Sequence, residues 1–460
     1  MSIGEDKVDY HDGTNGVLKN RLSLKGIHTK HNSNNQTNTV IIVGAGPVGT
    51  FLAYRLAKEG INVTVIEKES QTSEAPRAVG YYAASMQALV DAGLYDKIRE
   101  EGFMVRGLAW RKQPVGDGEG GKQLGEEIAV MPLAAPDDDL MEPPAGLLCL
   151  QQALLTKLFL REALATGKVT ILFNRELTGI EDHGGNVTAT TKGTDTKVSS
   201  QMTASFLVAT DGGRSTSRKL LGISFPGHTW PERLLATDVT IKNENVPTYA
   251  CYYQFHKLHY GLATPLTEPL DGKESLWRYA VALDPNENRS DEELLSDEHI
   301  ESLYEDVMVG PRPLKVRIGR RAIYKIHQRL ATTLRRGRSL LAGDAAHVCN
   351  PFGALGLNSG LLDADALSDA LIMILNESKP LSVLDLYSDE RRKVFQYFVD
   401  PTSTHNKLRV QFNSQETAAT DDDFFRLLRE GSMVDRMEAT KMYYDTWRTN
   451  IRKLAKAKGY

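Results

Sequence analysis

The stretch TVIIVGAGPVGTFLAYRLAKEGINVTVIEKES, residues 39–70, decides the fold. It begins as an apolar strand, passes through a glycine turn into a helix, and ends in a second strand at residues 63–66. The helix directs four apolar side chains inward, namely Phe51, Leu52, Leu56 and Ala57. Strand, turn, helix and strand in this order predict a βαβ unit with parallel strands.

Three glycines in the turn indicate what the unit binds. Gly44, Gly46 and Gly49 form the pattern G-x-G-x-x-G. The first permits a tight turn, the second lets the backbone approach a pyrophosphate, and the third lets helix and strand pack closely. Glu67 follows the second strand at the position of an acid that binds a ribose. The unit therefore predicts a dinucleotide site for FAD or NAD, and an acid at this position disfavours NADP here.

Composition restricts the function classes. The 460 residues are 41% hydrophobic, which suits two joined domains, and the formal net charge of −4 gives no field for nucleic acid or anionic lipid. Cys149, Cys251 and Cys349 lack CxxC spacing, so we expect neither a disulfide framework nor a zinc site. No run of about 18 apolar residues predicts a transmembrane helix. We expect a soluble protein of a reducing, cytoplasmic compartment.

Two later segments repeat the change from strand to glycine loop to helix. FLVATDGGRSTSRKLLGI, residues 206–223, closes a strand with Asp211 and predicts a helix that begins near Arg218. LLAGDAAHVCNPFGALGLNSG, residues 340–360, predicts a strand, an irregular loop and the N-terminus of a helix. Each alone could be a capped turn, whereas the pair indicates a cofactor site.

The segments GAGPVG, DGGRSTSR and GDAAHVCNPFGALGLNSG, in this order, resemble the three fingerprints of single-component FAD-dependent aromatic hydroxylases. This is the para-hydroxybenzoate hydroxylase and phenol hydroxylase group, and the resemblance runs from about Thr39 to about Asp400. It implies an α/β fold in which a Rossmann-like FAD-binding domain is interleaved with an α+β substrate domain built on a mixed sheet, plus C-terminal helices.

The resemblance divides the chain into seven segments. They are a disordered tail (1–38), three parts of the FAD-binding domain (39–102, 146–222 and 333–400), two parts of the substrate domain (103–145 and 223–332) and a C-terminal helical segment (401–460). The phenol hydroxylase branch carries a further large domain, which the short C-terminal segment cannot supply. We expect that segment to pack over the core or to form a dimer contact.

The resemblance also assigns residues to FAD. It implies that Gly44, Gly46 and Gly49 hold the pyrophosphate, and that Glu67 binds the adenosine ribose. Arg77 and Gln151 would contact the pyrophosphate or ribityl side, and Asp344 the ribityl hydroxyls. Asp211 would lie on the path shared with the nicotinamide, with Gly212 and Arg218 beside it. The helix start at Gly356, Leu357 and Asn358 would contact the pyrimidine edge of the flavin, and Pro351 would border its reactive face.

Residues that act on the substrate are harder to choose. Tyr253, His256 and His259 are candidates for holding or deprotonating a phenol, and Tyr81 and Tyr82 are placed nearby by the resemblance. If Trp277, Tyr279 and Val281 share one strand face, two aromatic rings could cover the pocket while Arg278 points away. Each tyrosine could instead be packed in a sheet. His347, which has no second ligand in the sequence nearby, and Cys349 are interpreted as structural, with no metal site.

The sequence thus predicts a flavoprotein monooxygenase that contains tightly bound FAD, uses NADPH or NADH as a transient donor, and hydroxylates a small phenolic substrate with O2. The resemblance implies a flavin C4a-hydroperoxide as the oxygenating species. An epoxidase or Baeyer–Villiger enzyme of secondary metabolism is the alternative, and a non-catalytic binding protein on the same fold is an alternative of another class. A monomer or homodimer without nucleic-acid or membrane partners is expected.

Overall fold

The computed structural model describes residues 39–75, 77, 79–134, 139, 145–441 and 447–460. The predicted tail 1–38 and part of segment 103–145 therefore lie outside the described residues. The strands, in chain order, are β1 Thr39–Val43, β2 Asn62–Ile66, β3 Gly80–Tyr81, β4 Phe103–Val105, β5 Gly107–Arg111, β6 Val115–Gly116, β7 Lys122–Gln123, β8 Glu127–Pro132, β9 Leu147–Cys149, β10 Val169–Leu172, β11 Arg175–Asp182, β12 Val187–Gly193, β13 Ser199–Ala204, β14 Phe206–Ala209, β15 Gly227–Lys242, β16 Cys251–Gln254, β17 Gly261–Pro265, β18 Glu274–Ala282, β19 Arg317–Leu330, β20 Arg335–Arg336, β21 Ser339–Leu341 and β22 His347–Val348.

The α-helices, in chain order, are α1 Pro47–Lys58, α2 Ala83–Asp91, α3 Tyr95–Glu101, α4 Gln152–Ala165, α5 Thr216–Leu220, α6 Asp291–Leu294, α7 Asp297–Val307, α8 Leu355–Leu375, α9 Val383–Val394, α10 Asp400–Phe412, α11 Ala418–Asp421, α12 Asp423–Glu430, α13 Met433–Lys441 and α14 Ile451–Ala457. A π-helical turn, Phe395–Val399, joins α9 to α10. Among the described residues, no helix combines the length and the apolar character needed to cross a bilayer.

The predicted βαβ unit lies in a six-stranded sheet with the order β10-β2-β1-β14-β21-β20. Every neighbouring pair except β20–β21 is parallel. The strands are mainly apolar because both faces are covered. Val40 and Ile42 of β1 pack with α1 on one face, and Ile41 and Val43 pack against the three-stranded sheet β11-β12-β13 on the other. The four predicted inward side chains of α1 are at most 3% exposed. The Rossmann-like part of the predicted fold is thus confirmed.

The second large sheet is mixed and has eight strands in the order β22-β19-β15-β18-β17-β16-β5-β8. Strands β5 and β8 precede the second glycine loop in sequence and β15–β19 follow it, which is the interleaving that the sequence predicts. Helix α7 packs its buried residues, including Tyr304, against this sheet. One detail differs, because β22 belongs to predicted segment 333–400 but extends this sheet by pairing with β19.

The C-terminal segment packs over the core. Trp447, Ile451 and Ala455 are completely buried, and Trp447 lies against Phe398 of the π turn with ring centroids 5.0 Å apart. Arg448 forms ion pairs with Asp365 of α8 and Asp91 of α2. The segment that the resemblance matches least is therefore part of the same packed unit.

Candidate functional site

The first part of the site lies where the strand order of the six-stranded sheet reverses. Strands β2 and β14 lie on opposite sides of β1. The loops that follow β1 and β14 therefore border a crevice, which is the usual ligand position in open α/β sheets. Gly44 follows β1 with φ of 107°, and a Cβ there would come within 2.6 Å of the Thr210 carbonyl oxygen. A Cβ on Gly49 would come within 2.1 Å of the Gly44 carbonyl oxygen. These two glycines are required by packing.

Gly46 is different, because a Cβ added there would meet no atom within 4 Å. It is the N-cap residue of α1, and no described side chain caps that helix. The first N–H groups of α1 and the positive end of its dipole therefore face open space, an arrangement that suits phosphate. Glu67 accepts hydrogen bonds from the amides of Ala45 (2.8 Å) and Glu69 (3.0 Å), so it also holds the glycine turn in place.

The second glycine loop is built around Asp211. Its carboxylate accepts hydrogen bonds from the Ser217 amide and hydroxyl, both 2.9 Å, and from the Ser215 hydroxyl. Ser215 in turn caps α5 by accepting from the Arg218 amide. The helix begins at Thr216, close to the predicted start near Arg218, because the serine side chains satisfy its first amides. Gly212, with φ of 80°, has open space beside it.

Arg218 links the second loop to the third. It is buried, donates to the carbonyls of Ala345 (2.8 Å) and Gly213 (2.9 Å), and stacks on Phe225 at 3.7 Å. Its guanidinium therefore holds the second and third loops together. The predicted direct role beside the cofactor stays a prediction.

The third loop presents Asp344 next to Arg77. Asp344 is accessible to water, yet enough protein surrounds it that burial raises the pKa of its carboxyl, while the charges of His347 and Arg77 oppose that rise. Residues 267 positions apart in sequence are thus close enough to interact electrostatically. An accessible carboxylate in a recess suits the binding of sugar hydroxyls.

Replacing Asp344 by alanine is expected to raise the dissociation constant for FAD about 10- to 100-fold, because hydrogen bonds to a charged group contribute about 1.5–3 kcal/mol. Quenching of flavin fluorescence measures this constant directly. Asp96→Ala, on the exposed face of α3, serves as the control. Equal FAD affinity of the Asp344 and Asp96 variants would contradict the assignment of Asp344.

The turn from Pro351 to Ala354 is held by β16 and by the start of α2. The Gly353 amide donates to the Tyr253 hydroxyl (2.7 Å), and the Gly353 carbonyl accepts from the Tyr82 hydroxyl (2.8 Å). Helix α8 begins immediately afterwards, so Gly356, Leu357 and Asn358 form its first turn. The contact of this helix start with the pyrimidine edge of the flavin stays a prediction.

The side chain of Asn358 makes hydrogen bonds in addition to the predicted backbone contact. Its side chain accepts from the Tyr82 amide (3.0 Å) and donates to the carbonyls of Gly80 and Ala354, both 2.8 Å. Tyr81 points elsewhere and donates to the Leu150 carbonyl. Strand β3 is thus tied to the start of α8.

His347 and Cys349 have surroundings that suit structural roles. His347 is buried with Nε2 2.7 Å from Asp363 Oδ2, and Asp363 Oδ1 accepts from Arg391 Nε at 2.6 Å. Asp363 also accepts from the Gly343 amide. Cys349 is half-buried rather than fully buried, and burial raises the pKa of its thiol to about 12, which keeps it protonated. The described residues include no cluster of three or more metal-binding side chains.

The structure separates the predicted substrate residues. Tyr253 and Tyr279 lie on opposite faces of the eight-stranded sheet, because Tyr279 pairs with Ala263 while Tyr253 pairs with Leu262. Tyr279 packs against Tyr304 of α7 with ring centroids 6.1 Å apart, and burial raises its pKa well above the usual value. Trp277, Tyr279 and Val281 do share a face, but it is the face under α7.

The two histidines follow β16 and contact each other. His256 and His259 stack on each other in the β16–β17 connection with centroids 5.3 Å apart, and His259 Nδ1 lies 3.0 Å from the Ala282 carbonyl. Burial, followed by the neighbouring His259, lowers the pKa of His256. The structure thus brings neither histidine to the turn at Pro351.

Arg278, expected to point away, instead reaches toward the cofactor side. It forms a two-pronged ion pair with Asp238 (2.8 and 2.9 Å) and donates to the Arg77 carbonyl at 2.6 Å. The error arose because alternation tells which residues share a face but not which face a helix covers. Gln151 precedes α4, and its side chain does not cap that helix but donates to the Leu266 carbonyl at 3.2 Å.

Sequence reasoning missed Tyr324 and Asp363. Tyr324 lies two residues from Ala322 on β19, on the face opposite α7, is 37% exposed, and burial raises its pKa to about 12. No pattern marked this tyrosine. Asp363 could have been found, since a carboxylate within the apolar run GLLDADAL must be paired if it is buried.

These residues fit FAD. The uncapped start of α1 at Gly46 suits a diphosphate, the recessed Asp344 beside Arg77 suits sugar hydroxyls and their linked phosphates, and the start of α8 suits the electron-rich edge of a flavin.

Comparison with known proteins agrees with this fit. Residues 37–402 match the FAD binding domain family. Para-nitrophenol 4-monooxygenase from Pseudomonas sp. (strain WBC-3) is 34% identical over 84% of this chain and 91% of its own length. The 6-hydroxy-3-succinoylpyridine 3-monooxygenase HspB from Pseudomonas putida (strain DSM 28022 / S16) is 29% identical over 89% of this chain and 98% of its own length.

Solved structures agree as well. The crystal structure of p-nitrophenol 4-monooxygenase PnpA from Pseudomonas putida DLL-E4 superimposes with a TM-score of 0.77 at 32% identity, covering 89% of this chain and 99% of that protein. The chain therefore belongs to the FAD-binding domain family, among its single-component FAD-dependent aromatic hydroxylases.

Proposed function

We propose that the protein hydroxylates a small phenol, with NADH or NADPH as electron donor and O2 as co-substrate. When bound, FAD accepts a hydride from a nicotinamide and activates dioxygen, so the chain itself must bind, orient and shield. The observation that carries the proposal is the sheet face beside the turn at Pro351, which offers small and aromatic side chains to a flat ring.

Three alanines form the floor of this face. Ala236, Ala280 and Ala322 lie in register on β15, β18 and β19. Leu262 continues the row on β17 and Tyr253 on β16, where Tyr253 meets the Gly353 amide. Methyl groups leave room for a planar substrate, and Tyr253 connects that space to the predicted flavin-bordering turn.

Two tyrosines are proposed to hold the phenolic oxygen. Tyr253 already accepts a hydrogen bond from the backbone, which polarises its hydroxyl as a donor. Tyr324 is protonated at neutral pH, as tyrosines ordinarily are, and burial raises its pKa to about 12, so it can also donate. Donors of this kind favour the phenolate, the electron-rich form that accepts an oxygen atom.

Cations beside the second glycine loop support an anionic electron donor. Burial, and then the charges of Arg329, Lys325 and Arg214, lower the pKa of His327. Three cationic side chains, among them Arg214 two residues after Gly212, thus lie close enough to His327 to lower its pKa. We propose that this positive edge receives the phosphates of the nicotinamide dinucleotide as it approaches the flavin.

The direct test measures oxidation of NADH and NADPH by the FAD-saturated protein with a panel of phenols. The panel includes para-nitrophenol, 6-hydroxy-3-succinoylpyridine and 3-(3-hydroxyphenyl)propionate, taken from the names of relatives. We expect one phenol to stimulate oxidation at least about tenfold and one atom of label from 18O2 to enter the product. FAD binding without stimulation or labelled product would refute the proposal, and labelled products from alkenes or ketones alone would favour epoxidation or Baeyer–Villiger chemistry.

A further inference from the structure

A buried ion pair lies behind the turn at Pro351 and has no part in the proposed chemistry. Lys407 of α10 pairs with Glu232 of β15, and the two side chains are 0% and 1% exposed. Lys407 also donates to Gln411 Oε1 at 2.6 Å and lies 3.9 Å above the ring of Trp230. Both charges are thus enclosed by protein.

The pair connects to the turn through two aromatic rings. Tyr260 donates its hydroxyl to Glu232 Oε1 at 2.7 Å, and its ring centroid is 5.8 Å from that of Phe352. On the other side Phe352 packs on Tyr253, with centroids 5.9 Å apart. Phe352 directly follows Pro351, so a shift of Tyr260 would move the turn.

A second polar route leads from α10 to the same turn. Gln328 of β19 donates to Asp400 Oδ1 (2.8 Å) and the Ser403 hydroxyl (2.9 Å), both on α10. Gln328 Oε1 accepts from the backbone amide of Asn350 at 3.0 Å, and Asn350 Oδ1 accepts from the backbone amide of Phe352 at 3.0 Å. Helix α10 therefore holds the turn at Asn350 and at Phe352, on both sides of Pro351.

Stability alone is a weak reason for this ion pair. Removing two charges from water costs several kcal/mol per ion, and replacing a buried pair by neutral groups of similar size is often neutral or stabilising. Burial raises the pKa of the Glu232 carboxyl, but hydrogen bonds from Lys407 and Tyr260 outweigh burial and lower it, which favours the charged carboxylate. Burial lowers the pKa of Lys407, and its contact with Glu232 opposes that change. If neutral side chains replaced the pair, the fixed distance and orientation between the two charged groups would be lost.

We propose that Lys407, acting through Glu232 and Tyr260, is a positioning residue. It fixes the position of the Pro351 turn beside the flavin, so that oxygen is transferred to the phenol and is not released as hydrogen peroxide. This rests on the proposed function. When the turn is loose, water reaches the reactive face, and reduced dioxygen leaves as hydrogen peroxide instead of entering the phenol. Electrons from the nicotinamide are then consumed without product.

The test uses the full-length protein with FAD and the double variant Glu232→Gln/Lys407→Met, which leaves no unpaired buried charge. We expect its melting temperature and FAD dissociation constant to stay close to those of the parent protein. The share of NAD(P)H consumption that appears as hydrogen peroxide should rise at least about threefold. The flavin absorbance change on phenol binding should also weaken, which reports the environment of the ring without turnover.

Two further variants separate positioning from general support. Arg448→Met removes the ion pairs with Asp365 and Asp91, which lie on α8 and α2 rather than at the turn, and should leave the peroxide share unchanged. Lys407→Arg keeps the positive charge, so its peroxide share should lie closer to that of the parent protein than to that of the double variant. An unchanged peroxide share in the double variant, or an equal rise in Arg448→Met, overturns the inference. If the parent protein hydroxylates no phenol, the proposed function fails instead, and the absorbance change still tests the turn.

Discussion

Gly46→Val should give a folded protein that cannot retain FAD. No atom lies within 4 Å of a Cβ at this position, so the side chain meets no protein obstacle. The valine would occupy the space in front of the α1 amides, where the diphosphate is expected. The dissociation constant for FAD should rise at least about a hundredfold, or about 2.8 kcal/mol, while the melting temperature of the FAD-free protein changes little.

The matched control is Gly185→Val, in an exposed turn where a Cβ likewise meets nothing within 4 Å. It should bind FAD like the parent protein. Fluorescence titration and circular dichroism of the three proteins decide the matter. Full FAD binding by Gly46→Val would show that the first glycine turn does not contact the diphosphate.

Asp363→Ala should destabilise the protein by about 3–5 kcal/mol, the usual cost of removing one partner from a buried ion pair. Arg391 of α9 and His347 would lose their common acceptor, and the Gly343 amide would lose its partner. Urea unfolding of the FAD-free protein measures the free energy of unfolding. Asp389→Ala, on the exposed side of α9, should change it by less than about 0.5 kcal/mol.

The contribution of Asp363 should also depend on pH. Burial opposes its ionisation, but the charges and hydrogen bonds of His347 and Arg391 outweigh burial and lower its pKa. A carboxyl whose pKa is lower in the folded state stabilises above the unfolded pKa of about 3.9. This stability should therefore be present at neutral pH and be lost as the pH falls through the lowered value. A loss of stability in Asp363→Ala that is as large at pH 3 as at pH 7 would contradict this account.

The three glycine loops were predictable because each depends on local geometry. Gly44 and Gly49 are restricted by backbone atoms within a few residues or on the adjacent strand, and such restrictions leave a pattern in the sequence. The confirmed family and fold follow from these loops. Helix starts were also close, since α8 begins at Leu355 and the prediction placed its start at 356–358.

The substrate face was not predictable in the same way. Trp277 and Tyr279 alternate with Arg278 as expected. Only the position of α7 decides whether the two aromatic residues or Arg278 face the proposed substrate space. Tyr324 and Lys407 depend on contacts between segments far apart in sequence, and a single tyrosine or lysine on an element carries no periodic signal. Asp363 was partly predictable. The sequence shows that apolar residues surround it, but it does not show which residues pair with it.

The parallel strand order has a consequence for how the chain folds. Strand β1 pairs with β14 about 165 residues later, and β14 pairs with β21 about 130 residues after that. During synthesis the first glycine turn must therefore wait for most of the chain to leave the ribosome before its sheet closes. Long-range parallel pairing slows folding and exposes apolar strands meanwhile. Chaperone supply and growth temperature should thus affect the yield of folded protein from an expression host.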